Sequence, residues 1–315
     1  LLSSNVFVQA WQDCSNGSGN RLYLQEEKFL NYKIPMPEAD VQKDLIRKYN
    51  TQLAEAKKDQ DSIDNLQYQI EQYILKKLGI SFKRSSFNGL IGTTYYKNLT
   101  RWDPTYLSNK IIINSNEKMI DMAAVIAYFM VDTSGKRLRI NTKDPDKKFA
   151  YIGMEHVEKN TGKVFMQQIS GKDILSQTVR VPYDYIIYGK LRPYLNKYWE
   201  NRSATKNVVC SSEFFVFDTK NINRIYFMEI LSSTIIQEQL TPLYSGARMP
   251  RINESDFMGL KIPLPSPQKQ QEIVDYISEV RRKIATLQLQ IPLHSQRAKK
   301  EFEEAVFGEA QKRIY

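Results

Sequence analysis

One motif occurs twice in this chain, and the repetition constrains its architecture more than any other feature. Ser245 to Pro265 reads SGARMPRINESDFMGLKIPLP, and Ser18 to Pro37 reads SGNRLYLQEEKFLNYKIPMP. Ser245-Gly246-x-Arg248 aligns with Ser18-Gly19-x-Arg21. Phe257, Lys261, Ile262, Pro263 and Pro265 align with Phe29, Lys33, Ile34, Pro35 and Pro37 at a constant offset of 228. The two halves of the motif differ by one residue of spacing, as an insertion in a loop produces. A period this long excludes a solenoid and implies duplication of a whole domain with its linker. Leu1 to Gln9 (LLSSNVFVQ) also parallels Leu231 to Gln237 (LSSTIIQ). The expectation is therefore a chain that begins inside its first module.

Each copy is followed by a long amphipathic stretch. After Pro37 no Gly or Pro occurs until Gly79, and Ile46, Tyr49, Leu53, Ala56, Ile63, Ile70 and Tyr73 follow 3–4 spacing, with Gln60 and Gln67 filling two further positions. That rhythm predicts a near-heptad helix. About forty residues at 1.5 Å each make a rod of roughly 60 Å with one apolar stripe, which needs a partner. After Pro265, Ile273, Ile277, Val280, Ile284, Leu287 and Ile291 repeat the rhythm. Pro292 is expected to interrupt or kink this second rod, because it removes a donor and clashes with the preceding turn. The rods either pack antiparallel or each pairs with its equivalent in another subunit. Pro35, Pro37, Pro263, Pro265 and Gly246 read as a joint that sets the exit angle of each rod.

Between the rods lies a mixed block. Phe149 to Met154, Val179 to Val181, Tyr185 to Tyr188 and Phe214 to Phe217 read as short strands, and Asn223 to Gln239 as a helix. The fold class is α+β: a globular domain flanked by two long coiled-coil-like helices. Charge is concentrated in this block. Residues 81–265 carry 26 Lys and Arg against 17 Asp and Glu, whereas residues 1–80 carry 10 against 11. A basic domain between near-neutral helices suits a polyanion. With two cysteines, Cys14 and Cys210, and no apolar run of membrane-spanning length, a reducing cytoplasm is the expected location.

Tyr185 to Lys197 (YIIYGKLRPYLNK) is the most informative segment of the block. A strand ends at Gly189, and the turn offers Lys190, Arg192 and Lys197 with Tyr194 interleaved. Cations neutralise phosphates, an arginine reads guanine through two donors, and a tyrosine packs on sugar or base. Ser211 and Ser212 are candidate phosphate donors, and Arg248 and Arg251 candidate DNA contacts within the repeated motif. Each has a plainer reading as a turn with solvated charges. Enzyme signatures are poor. Asp103-Pro104-Thr105-Tyr106 lacks the second proline of a methyltransferase box, Pro145-Asp146 with Glu155 lacks a nuclease lysine, and no phosphate-binding loop occurs. Cys210 has no base beside it in sequence and reads as a packing residue. The two cysteines and two histidines do not lie at zinc-ligand spacing, so neither metal nor cofactor is expected.

Four segments together resemble a known family. Phe149 to Val157 (FAYIGMEHV), Tyr188 to Leu195 (YGKLRPYL), Cys210 to Phe214 (CSSEF) and the Ser245 to Pro265 motif are similar to target-recognition domains of type I restriction-modification specificity subunits. The resemblance implies a non-catalytic protein in which each recognition domain reads one half of a bipartite DNA target. It also implies that the long helices space the two halves, that methyltransferase (modification) subunits dock on the scaffold, and that a translocating restriction subunit can join. The domains expected on this plan are residues 1–38 as the remnant of a first recognition domain and 39–80 as a spacer helix. Residues 81–265 form the DNA-binding recognition domain and 266–315 a second spacer, with self-association through the helices open. The alternatives are the specificity region of a fused restriction-methylation enzyme, and an interaction scaffold in which the basic block only packs.

Overall fold

The computed structural model describes residues 5–16, 23–31, 36–84, 111–142, 144, 146–175, 177–244 and 249–311. In chain order the elements are α1 (Asn5–Asp13), β1 (Ser15–Asn16), β2 (Tyr23–Leu24), α2 (Glu26–Leu30), α3 (Ala39–Leu78), β3 (Ser81–Arg84) and β4 (Ile111–Asn114). Then follow β5 (Met119–Asp121), α4 (Met122–Val125), β6 (Ile126–Phe129), β7 (Arg139–Ile140), β8 (Lys148–Ile152), β9 (Gln167–Ser170), β10 (Thr178–Arg180), β11 (Ile186–Gly189) and β12 (Tyr198–Glu200). The last are β13 (Val208–Ser211), β14 (Phe214–Thr219), α5 (Arg224–Ser232), α6 (Thr234–Tyr244), α7 (Glu254–Met258), β15 (Lys261–Pro263) and α8 (Pro267–Gln311). They group into two units, residues 1–70 with 277–315, and residues 71–276.

The sequence repeat is also a structural repeat. Adding 228 to α2 gives the bounds of α7, and adding 228 to the first residue of α3 gives the first residue of α8. The joint repeats as well. Gln42 Nε2 donates to the Pro37 carbonyl at 2.7 Å, and its counterpart Gln270 Nε2 donates to the Pro265 carbonyl at 2.9 Å. In both copies a glutamine one turn into the helix reaches back to the proline before it, satisfying a carbonyl and fixing where the helix starts. Pro267 stands at the first helical position of α8, where its missing N–H costs nothing.

In the first unit the two long helices pack antiparallel. Tyr49 meets Phe302 with ring centroids 5.8 Å apart, Gln52 Nε2 donates to Glu301 Oε2 at 2.6 Å, and His294 Nε2 lies 3.2 Å from Asp59 Oδ2. The seam runs one position away from the expected one. Ile46 and Leu53 are 55% and 37% exposed, and Gln60 and Gln67 also face solvent. Leu45, Gln52, Asp59 and Leu66 take their places, between Tyr49, Ala56, Ile63 and Ile70. Polar residues occupy two seam positions where each faces a polar partner on the other helix, Gln52 against Glu301 and Asp59 against His294, which hydrophobicity alone cannot register. The expected break at Pro292 is absent, since α8 continues through it. Its ring lies on the exposed side of the helix, while seam residues buried before and after it, Ile284 and Ala298, hold the register.

The second unit contains a two-sheet sandwich. One sheet has the order β7-β10-β13-β8-β9, the other β12-β11-β14-β6. Every pairing in them is antiparallel except β13 with β8. Between the sheets lie Ala150, Ile152, Val179, Val208 and Cys210 from the first and Ile187, Phe214 and Val216 from the second. Strand β14 is buried on both faces, which explains its unbroken Phe-Phe-Val-Phe run. Phe215 and Phe217 turn to the opposite side, where Phe257 of α7 and Phe227 of α5 pack on them. The helix expected over 223–239 is two helices, α5 and α6, divided at Ser233, whose hydroxyl donates to the Ile230 carbonyl at 2.7 Å. In this unit too the long helices are antiparallel: Tyr73 stacks on Tyr276 at 3.8 Å, and Lys77 pairs with Glu272 at 2.7 Å. Among the described residues no helix is long and apolar enough to cross a membrane.

The shifted seam makes a quantitative contrast. Ile63→Ala is expected to lower unfolding free energy by about 2–5 kcal/mol, because it opens a cavity at a buried seam position. Leu53→Ala is expected to cost under about 1 kcal/mol. Urea denaturation of the two variants checks this, and the reverse order would restore the seam read from the sequence.

Candidate nucleic-acid interface

Strand register places the sequence-separated motifs at one rim of the sandwich. The last pair of β11 with β14 is Gly189 with Phe214, the last of β13 with β8 is Cys210 with Ile152, and β10 meets β13 at Thr178 and Ser211. The segments that continue from these pairs (153–156, 190–197 and 211–213) therefore leave the sheets at the same end. The repeated motif joins them through an isolated antiparallel bridge between Leu191 and Arg251.

Lys190 is the centre of the rim. Its backbone N–H donates to the Glu213 carbonyl at 2.8 Å, and its carbonyl accepts from Ile252 N at 3.1 Å. Its Nζ donates to the Ser212 carbonyl at 2.8 Å and lies 4.9 Å from the centre of the Phe215 ring. Burial pushes the Lys190 pKa below the ordinary lysine value, and the nearby Glu213 partly offsets this. The amine thus ties the 211–213 turn to the 189–192 turn. Lys197 is used similarly: its Nζ donates to the Met154 carbonyl at 2.5 Å, and burial lowers its pKa. Ser211 is buried, and its hydroxyl accepts from Glu213 N at 3.3 Å. Ser212 is partly buried, with its N–H on the Gln177 carbonyl at 3.0 Å.

Arg192 and Tyr194 differ from these. Arg192 is exposed and its guanidinium has no partner among the described residues. Its backbone sits in the left-handed region at φ 49, a conformation that costs an arginine roughly 1–2 kcal/mol. Bonds from Arg192 N to the Pro250 carbonyl (2.8 Å) and from Leu195 N to the Arg192 carbonyl (2.9 Å) hold it there. Tyr194 is exposed, with its ring 5.9 Å from Tyr244. Arg251 is half exposed and forms a two-point ion pair with Glu213, Nε to Oε2 and Nη2 to Oε1, both at 3.1 Å. Arg248, Gly246 and Pro35 lie outside the described residues. Pro37 and Pro265 carry the joint hydrogen bonds, and the Pro263 carbonyl accepts from Tyr226 Oη at 2.9 Å.

Sequence reading passed over Arg139 and Glu213. Arg139 is exposed on edge strand β7, close enough for its charge to act on Lys190. Its signal was present as Gly135-Lys136-Arg137-Leu138-Arg139, three cations in four residues around the buried Leu138. The hairpin before it is built on Asp132, whose carboxylate accepts from Ser134 N (3.0 Å), Ser134 Oγ (2.6 Å) and Lys136 N (3.0 Å) and pairs with Arg180 at 2.8 Å. Glu213 lies within the CSSEF segment, but its pairing gave no signal, because its partner is 38 residues away in sequence. Cys210 is fully buried, and desolvation drives its thiol pKa upward, far from that of a nucleophile. Among the described residues no cluster of three or more His, Cys, Asp and Glu is disposed to hold a metal.

Residues 133–293, just over half of the chain, match the family model of the type I restriction modification DNA specificity domain, and the chain belongs to that family. It is 27% identical over 142 residues to the type I restriction enzyme EcoDI specificity subunit of Escherichia coli. That alignment takes in 45% of this chain and 31% of the relative, so the chain matches about a third of that protein's length. Among solved structures it is similar to an HsdS subunit from Thermoanaerobacter tengcongensis, at 20% identity and a TM-score of 0.47 over 61% of this chain and 48% of that one. It is also similar to the S subunit of a type I system from M. genitalium, at 10% identity and a TM-score of 0.39 over 94% and 68%.

The rim contacts separate framework from free cations. Lys190→Met keeps the aliphatic stem but loses the bond to Ser212, and is expected to lower stability by roughly 1–3 kcal/mol. Arg192→Ala is expected to stay within about 0.5 kcal/mol of the parent. Thermal and urea unfolding of both variants test the distinction.

Proposed function

We propose that this chain is a non-catalytic DNA-recognition component of a type I restriction-modification system, and that the sandwich rim is its DNA-facing surface. The observation that carries the reading is the convergence of Arg139, Lys190, Arg192, Lys197 and Arg251, from well-separated segments, on one end of a domain whose family is a DNA specificity domain. On this reading residues 81–265 form the recognition domain and read one half of a bipartite duplex target. Residues 39–80 and 266–315 are spacer helices that receive modification subunits, with a restriction subunit able to join, and residues 1–38 are the end of a preceding recognition domain. Within the rim, Arg192 and Arg139 neutralise phosphates, Tyr194 contacts sugar or base, and Ser212 is a candidate phosphate donor. Lys190, Lys197 and Ser211 hold the turns in shape. Arg248, in the same repeated motif as Arg251, is proposed as a further phosphate contact.

Binding of the chain to duplex DNA should weaken linearly on a log–log plot as salt rises, with a slope set by the phosphates contacted. Arg192→Ala and Arg139→Ala should each reduce that slope by roughly 0.9. Titration of labelled duplex at several salt concentrations measures it. Affinity independent of salt, or slopes untouched by both substitutions, would remove the rim from the DNA interface.

A further inference from the structure

Arg251 is held in a way that Arg192 is not, and the difference assigns the two arginines different targets. A guanidinium carries five N–H donors in one plane. Glu213 takes one edge of this fork, through Nε and Nη2 at 3.1 Å each. Nη1 has no partner among the described residues, and Nη2 keeps a second hydrogen. The end-on pair of donors is therefore unspent, on a side chain that is 52% exposed.

The couple is rigid at both ends. Glu213 is fixed by the Ser211 hydroxyl on its N–H and by Lys190 N on its carbonyl. Arg251 is fixed by its bridge to Leu191, between the Pro250 carbonyl that accepts from Arg192 N and the Ile252 N–H that donates to Lys190. Ordering the long side chain before binding removes an entropic cost that a free arginine meets on contact. Charge separates the two candidate ligands. The Glu213 carboxylate cancels the charge of Arg251 and would repel a phosphate brought against it. A guanine Hoogsteen edge is uncharged and presents two coplanar acceptors, O6 and N7, which the end-on fork matches. The Arg192 guanidinium, with no partner among the described residues, suits a phosphate.

We propose that Arg251 reads a guanine in the major groove of the target and that Glu213 is its positioning residue. The assignment rests on the DNA-recognition reading above. The test is selection of bound duplexes from a randomised pool by the full chain, by Arg251→Lys and by Glu213→Gln. The parent chain should enrich a motif containing a fixed guanine. Both variants should lose preference at that one position by roughly tenfold or more, with the other positions retained and melting temperatures close to the parent's. A second measurement needs no variant to fold: placing 7-deazaguanine at that position removes N7 and should weaken binding by the parent chain there and at no other guanine. The same modified duplex should cost Arg251→Lys little further. An unchanged motif, or a uniform loss across all sequences with a smaller salt slope, would make Arg251 a phosphate contact and overturn the assignment. Absence of any duplex binding by the parent chain would instead overturn the DNA-recognition reading itself.

Discussion

The rim depends on one aromatic side chain. Phe257 of α7 packs on Phe215 at 4.8 Å, Tyr188 at 5.3 Å and Phe217 at 5.5 Å, and so fastens the repeated motif to the sheet formed by β11 and β14. Six residues before it stands Arg251, and eight after it stands Pro265, where α8 is launched. The same anchor therefore fixes a cation at the rim and the start of a long helix. In the first copy the equivalent Phe29 packs edge-on against Trp11, 5.7 Å away, and against the buried cluster of Val306 and Phe307. Duplication has kept the anchor in both copies and supplied each with different neighbours.

Rigidity at the rim comes from spending charge internally. Lys190 and Lys197 give their amines to main-chain carbonyls, and Arg251 gives two of its five donors to Glu213. A partly buried lysine bonded to a carbonyl adds less to a long-range field than a solvated one, but it defines where the adjoining turns lie. The rim is thus a framework of engaged cations carrying a smaller number of free ones. Net charge concentrated in residues 81–265 reports their sum and cannot tell the two kinds apart.

The long helices show the same exchange of hydrophobicity for pairing. Gln52 and Asp59 sit on the seam facing Glu301 and His294, while the more apolar Ile46 and Leu53 lie exposed. A polar pair across a seam is satisfied in few alignments of the two helices, whereas apolar residues tolerate several. Such positions are suited to fixing register, and with it the distance along the helix pair.

What the sequence determined by itself was organisation: the duplication, the two long helices and their proline joints, and four strands of the basic block, β8, β10, β11 and β14. These features are written in local period and in identity at a fixed offset, so they are readable without coordinates. The same is true of the segments that form the rim, since each ends a strand at a glycine, a serine pair or a proline. Tertiary structure alone decided which residues share the seam and which cations are engaged. It also divided the expected helix at Ser233, carried α8 through Pro292, and set Glu213 against Arg251 across 38 residues. Each of those outcomes depends on what stands opposite a side chain. That partner is supplied by the packing of distant segments and leaves no trace in the neighbouring residues.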